Sequence, residues 1–311
     1  MAADTHEEET PQPSAFNRSL KALLRHSQWA RRALLPFLLK RTFTHFFPYP
    51  LDLNNPQSFA EKIQWLKVFG RLGRFAPYVD KFEVREYVRK TIGEDHLVPL
   101  LGVYDSVDQI PWDHFPPRFV IKAAHGCGWN VIVRDASTLD REATAQKLDD
   151  WLHQNYFDQT YEEQYLVIRK RLIVEEMLGA GVELPWDYKF FCSQGEPTLI
   201  SIDLGRSENH TRKLLSPDWT PVEGTIKFPA ASGEFPRPPE LNQMLAIVRN
   251  LSRPFPFVRV DLYLVEGRIY FGELTFTPES GLAPVSPRTF DMWRGARLDL
   301  VKFRDTPVPA F

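Results

Sequence analysis

Apolar and polar positions change period several times along the chain. A 3.6-residue repeat predicts a helix over about Ser58–Val68, with Ser58 and Glu61 at capping-box spacing, and further helices over about Lys81–Thr91, Asp140–Asn155 and Glu240–Leu251. Short apolar or alternating runs predict strands at Leu97–Tyr104, Phe119–Ala123, Arg171–Met177, Asp187–Cys192 and Thr198–Ile202, the last two joined by a Gln194-Gly195 turn. The proline-rich stretch Ile110–Pro117 reads as a linker, and Pro229–Pro239 as a polar loop. No internal repeat or low-complexity tract interrupts this order. The pattern places a subdomain boundary near 112/113, between regions 51–112 and 113–178, after a distinct segment at 1–50 and before a last region at 179–311.

The most informative apolar runs carry misplaced charge. Phe257–Val265 and Arg268–Pro278 read as a hairpin with Arg259, Asp261 and Glu273 inside it. An ionised carboxylate in such a strand needs a cation or several hydrogen bonds, because leaving water otherwise costs several kcal/mol. Two carboxylates on paired strands suit a shared divalent metal, and an Arg–Asp cross-strand pair with Glu273 at a solvated edge suits them equally. Their meeting depends on the turn. A three-residue Val265-Glu266-Gly267 loop brings Arg259, Asp261 and Glu273 together, whereas a two-residue Glu266-Gly267 loop separates them.

Composition narrows the setting. The chain has 311 residues, 43% hydrophobic and 25% charged, enough for two or three subdomains. Its formal net charge of -2 argues against a general nucleic-acid binder. Cys127 and Cys192 are too few for a disulfide framework, which points to a reducing, cytoplasmic setting. The first residues are acidic rather than signal-like, and no apolar run is long enough to span a bilayer.

The first fifty residues divide by charge. Up to Pro13 the sequence reads as a disordered acidic tail; from Phe16 to Leu51 it contains no acidic residue. There Arg18, Lys21, Arg25, Arg31, Arg32, Lys40 and Arg41 alternate with leucines and Trp29, the pattern of a basic amphipathic helix broken near Pro36. Two readings stay open: peripheral attachment to an anionic membrane, and packing of the apolar stripe on the main domain. Packing is preferred, because amphipathic helices more often bury that stripe against protein.

A second chemical signal is Lys122-Ala-Ala-His-Gly-Cys-Gly-Trp-Asn-Val131. A lysine ends one strand, and a loop with Gly126 and Gly128 leads into another. Glycines let backbone N–H groups approach phosphate oxygens, while lysine adds positive charge. Neither a Walker loop nor a dinucleotide fingerprint fits, since a strand follows rather than a helix. A simple hairpin turn is the plainer reading of the loop.

In sequence order, Asp80-Lys-Phe-Glu-Val-Arg85, Val98-Pro99, Phe119–Lys122 with its glycine loop, Ile173-Val-Glu-Glu-Met-Leu178, Arg259-Val-Asp261 and Glu273-Leu-Thr-Phe-Thr-Pro278 resemble the ATP-grasp superfamily. Within it the sequence is similar to the teichuronopeptide-biosynthesis, or TupA-like, group from about Leu53 onward. The strings Asn54-Asn-Pro-Gln-Ser-Phe59, Glu61-Lys-Ile-Gln-Trp-Leu66, Pro99–Asp105, Asp187–Cys192 and Phe255–Tyr263 carry that likeness.

The resemblance implies an α+β ATP-grasp fold, with a small lid and a mainly antiparallel C-terminal sheet after a helical N-terminal segment. It makes 51–112 a shortened N-terminal subdomain, 113–178 a lid and 179–311 a C-terminal subdomain. It implies ATP and Mg as cofactors. Arg85 and Lys122 would contact the phosphates, and Gly126 and Gly128 would close over them. Glu175 with the backbone near Met177 and Leu178 would hold adenine, and Asp187 the ribose. Asp261, Glu273 and Thr275 would hold metal, with Arg259 at the transferring phosphoryl group. Competing readings make Lys81 and Arg85 surface residues, turn Glu176 inward instead of Glu175, or pair Asp187 with Lys189.

Two positions depart from the superfamily pattern. Thr275 stands where asparagine is common, which puts a second metal in doubt, and Cys127 and Trp129 replace small lid-loop residues. Trp129 would either stack on a substrate or stiffen the lid. The activity implied is ligation of a carboxylate to an amine acceptor through an acyl phosphate, in cell-surface polysaccharide or peptide-conjugate synthesis. A glycosyltransferase and a non-catalytic nucleotide-binding protein are the alternatives, the former weakened by the absence of an Asp-x-Asp motif.

Overall fold

A computed structural model describes residues 15–179, 185–205 and 210–311. The expected acidic tail lies outside the described residues. Helix α1 (Ala15–His26) is followed by α2 (Gln28–Phe46), α3 (Phe59–Phe69), α4 (Ala76–Val79) and α5 (Val84–Ile92). Strands β1 (Leu100–Tyr104), β2 (Phe119–Ala123) and β3 (Asn130–Val133) then precede α6 (Arg141–His153), α7 (Phe157–Thr160) and β4 (Leu172–Glu176). The remaining order is β5 (Asp187–Ser193), β6 (Glu196–Leu204), β7 (Thr211–Leu215), β8 (Thr225–Ile226), α8 (Leu241–Ser252), β9 (Phe257–Val265), β10 (Arg268–Thr275), β11 (Val285–Ser286), α9 (Arg288–Gly295) and α10 (Leu300–Asp305).

The strands form two main antiparallel sheets, ordered β1-β4-β2-β3 and β10-β9-β5-β6-β7. Strict alternation on β2 buries Phe119, Ile121 and Ala123 with Leu172, Val174, Leu148 and Trp151 on the α6 side, and turns Val120 and Lys122 the other way. The larger sheet buries Tyr188, Phe190, Val258, Val260 and Leu262 against α3, α5 and α8. Each sheet therefore has one apolar face with its own core.

The linker expected to separate two subdomains does not do so. Strand β1 lies before it in sequence yet pairs with β4, from Leu100↔Glu175 to Tyr104↔Leu172. Residues 110–117 are thus a connection within one sheet, since β1 before them and β2 after them both pair with β4. Linker composition marks a loop, but only strand pairing says whether the loop leaves its sheet.

The N-terminal segment also breaks elsewhere than expected. Pro36 sits inside α2, and the interruption falls at Ser27, whose hydroxyl accepts from Ala30 N at 3.1 Å and caps α2. The carbonyl that Pro36 leaves unbonded belongs to Arg32 on an exposed turn, where water can replace the lost donor. Leu35, Leu39 and Phe43 are buried against α3 and the Phe157 region, so the apolar stripe packs on protein. Each such side chain contributes roughly 1.5–3 kcal/mol of burial. No helix among the described residues is long and apolar enough to cross a membrane.

Candidate functional site

The polar faces of the two sheets meet across a cleft of about 580 Å³. From the smaller sheet, β2 and β4 supply Lys122, Ile173 and Glu175, which share a face because Lys122 opposes Ile173 and Val120 opposes Glu175. Lys122 Nζ lies 2.6 Å from Glu175 Oε2, and Arg85 Nη1 lies 2.9 Å from Oε1 of the same carboxylate. Arg85 also donates to Val98 O at 2.9 Å. Burial opposes the charge on Lys122, but Glu175, Tyr263 and Glu273 together raise its pKa.

Glu175 is therefore the residue that turns inward, and both of its oxygens are held by cations. Glu176 is exposed and lines a smaller slot of about 120 Å³ with Val120, Ile132, Met177, Leu178 and Tyr263. Lys122 and Asn130 border both spaces.

The larger sheet carries its charges in cross-strand rows. Glu273 opposes Asp261, which opposes Lys189; Asp187 opposes Asp203, which opposes Arg212. Arg259 donates to both oxygens of Asp261, each at 2.7 Å, and to Glu273 Oε1 at 2.6 Å. Thr275 Oγ1 adds a bond to Glu273 Oε1 at 2.9 Å, and among the described residues no hydrogen bond reaches the second glutamate oxygen. Burial would raise the Glu273 pKa, yet Arg259, Lys81, Lys189 and Thr275 hold it below the usual value. The buried Arg259 is kept charged by Asp261 and Glu273 in spite of its desolvation.

Lys189 is tied to Asp187, to Asp261 Oδ2 at 3.2 Å and to Asp203 Oδ2 at 3.6 Å. Asp187 thus takes the lysine pairing that was one of its two expected readings. Arg212 extends the network, with Nε 2.5 Å from Asp203 Oδ1 and Nη2 3.2 Å from Glu279 Oε1.

The turn that sets this geometry is not the expected one. Glu266 and Gly267 both have positive φ and form a two-residue loop, with Val265 opposite Arg268. That register alone would place Glu273 opposite Val260, on the core face. A bulge at Gly272 adds one residue between the Phe271↔Leu262 and Glu273↔Asp261 pairs and returns the glutamate to the cleft.

The loop 126–129 borders the cleft through Cys127 and Gly128. A Cβ on Gly126 would stand 2.4 Å from the Trp129 ring, and Gly128 has φ +74°, so each position needs glycine. Lys81 donates to Gly126 O. Trp129 is stacked near-parallel to Trp151 with centroids 6.1 Å apart and packs edge-on to Tyr156. It belongs to the core beneath the smaller sheet. His125 is buried and bonded to Trp151 O at 2.8 Å, and Cys127 is exposed and lines the cleft.

Several cleft residues were not anticipated. Asp187-x-Lys189 repeats the alternation of Arg259-x-Asp261, and that signal could have marked Lys189 as a cleft group. Asp203 and Arg212 could be found only from the pairing of β6 with β7. At the far end, Lys67 donates to Ser280 Oγ at 2.7 Å, and Gln164 bridges Glu162 and Thr277. Burial lowers the Lys67 pKa to about 8 and raises that of Glu162. No local pattern announces this cluster, which is assembled from α3, the 162–164 turn and the segment after β10.

A wider cavity of about 1300 Å³ lies between α5 and the C-terminal residues. Three of its arginines are engaged: Arg74 by the carbonyls of Phe303, Arg304 and Thr306, Arg89 by Glu86 and Glu94, and Arg85 by Glu175. The charged cleft is the better candidate.

Two antiparallel sheets closing on such a cleft, after a helical N-terminal segment, constitute an ATP-grasp fold. A family profile described as TupA-like ATPgrasp matches residues 61–299, and the chain belongs to that family. Among solved structures, D-alanine–D-alanine ligase from Bacillus anthracis is 13% identical, with a TM-score of 0.43, covering 77% of this chain and 72% of that one. D-alanyl-alanine synthetase A from Vibrio cholerae is 14% identical, with a TM-score of 0.42 and coverage of 74% and 65%. Phosphoribosylamine–glycine ligase from Thermotoga maritima is 13% identical, with a TM-score of 0.39; the match covers 67% of this chain and 50%, half, of that ligase. A search of curated proteins found no match.

Proposed function

We propose that the protein is an ATP- and magnesium-dependent ligase that joins a carboxylate to an amine. The observation that carries this reading is the Asp261–Glu273 pair bridged by Arg259, facing Lys122 across the cleft of a TupA-like ATPgrasp chain. In it, the slot beside Met177 and Leu178 receives adenine, while Lys122 and the Gly126–Gly128 loop receive the phosphates. Arg85 and Glu175 act one step back, holding the Lys122 ammonium in place.

The donor set fits magnesium in kind. Asp261, Glu273 and Thr275 are hard oxygen donors, and the second Glu273 oxygen is open to the cleft. They would hold the ion once Arg259 turns toward the nucleotide. Bound there, magnesium would neutralise phosphate charge.

The proposed reaction has two steps. A carboxylate oxygen attacks the γ-phosphorus, the bond to the β-phosphate oxygen breaks, and ADP leaves. Arg259 and Lys122 offset charge on the transferring phosphoryl group. An amine then attacks the acyl carbon, phosphate departs, and the amine loses a proton to give the amide. The lid loop keeps water from the acyl phosphate. The carboxylate is assigned to a precursor of a cell-surface polymer, made on the cytoplasmic side where ATP is supplied.

The test is a binding panel of ATP and uridine-diphosphate sugars, with and without magnesium, followed by hydroxylamine trapping with uronic-acid and amino-acid carboxylates. Magnesium-dependent ATP binding with hydroxamate formation is expected. Binding of sugar nucleotides in preference to ATP would replace the ligase with a glycosyltransferase.

A further inference from the structure

Helix α2 is apolar on two faces, and only one of them is covered. Leu35, Leu39 and Phe43 are buried, whereas Trp29 is 81% exposed and Phe37 74% exposed. Trp29, Ala33 and Phe37 are spaced four residues apart, so they form one outward stripe about 12 Å long at 1.5 Å per residue. Lys40 and Arg41 lie one turn beyond Phe37, and Arg32 lies beside Trp29; all three are exposed. A single exposed aromatic is ordinary, but two on one stripe bordered by cations mark a docking surface.

Among the described residues, the charge on this face has one sign. Residues Phe16 to Leu51 include no aspartate or glutamate. The acids that approach from neighbouring elements are engaged with other arginines: Asp158 with Arg25 at 3.1 Å, and Glu163 with Arg31 at 3.1 Å.

We propose that this face of α2 docks the protein on an anionic phospholipid surface, with Trp29 and Phe37 in the headgroup layer and Arg32, Lys40 and Arg41 on the lipid charges. Indole and phenyl rings suit that boundary, and each cation near such a surface contributes about 1 kcal/mol at moderate salt. The inner face already fixes the helix, so docking incurs no folding cost. A second copy seated through the same stripes would bring Arg32, Lys40 and Arg41 against their own counterparts, which disfavours self-association. This surface is separate from the cleft, and its occupancy is read without turnover.

The test is co-sedimentation of the full chain with vesicles of pure phosphatidylcholine and with equimolar phosphatidylcholine and phosphatidylglycerol. Binding is expected only to the anionic vesicles and should weaken as ionic strength rises. A Trp29→Ser/Phe37→Ser variant, with unchanged circular dichroism and ATP affinity, should lose at least about tenfold in partitioning. Lys40→Glu/Arg41→Glu should remove the salt-sensitive part. Failure of the intact chain to bind anionic vesicles, equal binding to both vesicle types, or an unaffected aromatic variant would each overturn the proposal. So would a solution dimer dispersed by the aromatic variant, which would make the stripe a self-association surface.

Discussion

Asp261 and Glu273 face each other across β9 and β10 because Gly272 inserts one residue into the ladder between them. The two-residue turn at Glu266-Gly267 would otherwise send Glu273 to the core side. A carboxylate pair that organises the cleft thus depends on a bulge in β10, four residues after Arg268, and on the absence of a side chain there.

Gly272→Ala places a Cβ 3.1 Å from Asp261 O, a carbonyl fixed by the ladder, and 3.3 Å from the Tyr263 ring. The strand must shift to admit it. Destabilisation of roughly 1 kcal/mol is expected, together with reduced magnesium-dependent ATP turnover. Urea denaturation and a steady-state ADP assay check the two effects, and unchanged values in both would show that the bulge tolerates a side chain.

Glu273→Gln and Asp261→Asn should behave differently. Glu273 has a third of its side chain exposed and one oxygen that no described residue bonds, so its amide should abolish turnover while shifting stability by under about 1 kcal/mol. Asp261 is buried and pairs with both Arg259 and Lys189, so neutralising it leaves two buried cations undercompensated, at a cost of about 3 kcal/mol. Thermal denaturation beside turnover separates the variants; equal stability losses would contradict the buried pairing.

Lys122→Ala should weaken ATP binding by about a hundredfold through the lost phosphate contact, with little change in fold because Arg85 still pairs with Glu175. His125→Ala should do the reverse. It removes a buried ring bonded to Trp151 O and packed on Trp129, so stability should fall with ATP affinity within a few-fold. Calorimetric titration of both variants checks the contrast.

Stability should also depend on Asp203 in acid. Burial would raise its pKa, but the hydrogen bonds and charge of Arg212, with Lys189 and His210, bring it down to about 2 from 3.8. The folded state therefore holds the proton less tightly than the unfolded chain, and stability is gained as pH rises through this window. The contribution is complete above about pH 4 and is lost as pH falls toward 2, on the order of 2 kcal/mol. In Asp203→Asn that part of the acid-unfolding curve should disappear; an identical slope in both proteins would assign the acid sensitivity to other carboxylates.

Much of this protein is determined locally. Ser58 and Glu61 were recognisable as a capping box, Phe119–Ala123 as an alternating strand, and Arg259 with Asp261 as partners on one strand face, because capping and two-residue alternation act over a few neighbours. The charged segments that mark the family were likewise present in order. Tertiary structure decided which charges meet: Glu273 with Asp261 through the Gly272 bulge, Glu175 between Lys122 and Arg85, and Asp203 with Arg212 across β6 and β7. It also decided that Trp129 is core, that β1 joins the sheet beyond its linker, and that α2 covers one apolar face and leaves Trp29 and Phe37 outside. Register, bulges and packing depend on chain segments tens to hundreds of residues apart. A short sequence window states which residues need partners but contains no information on which distant partners arrive.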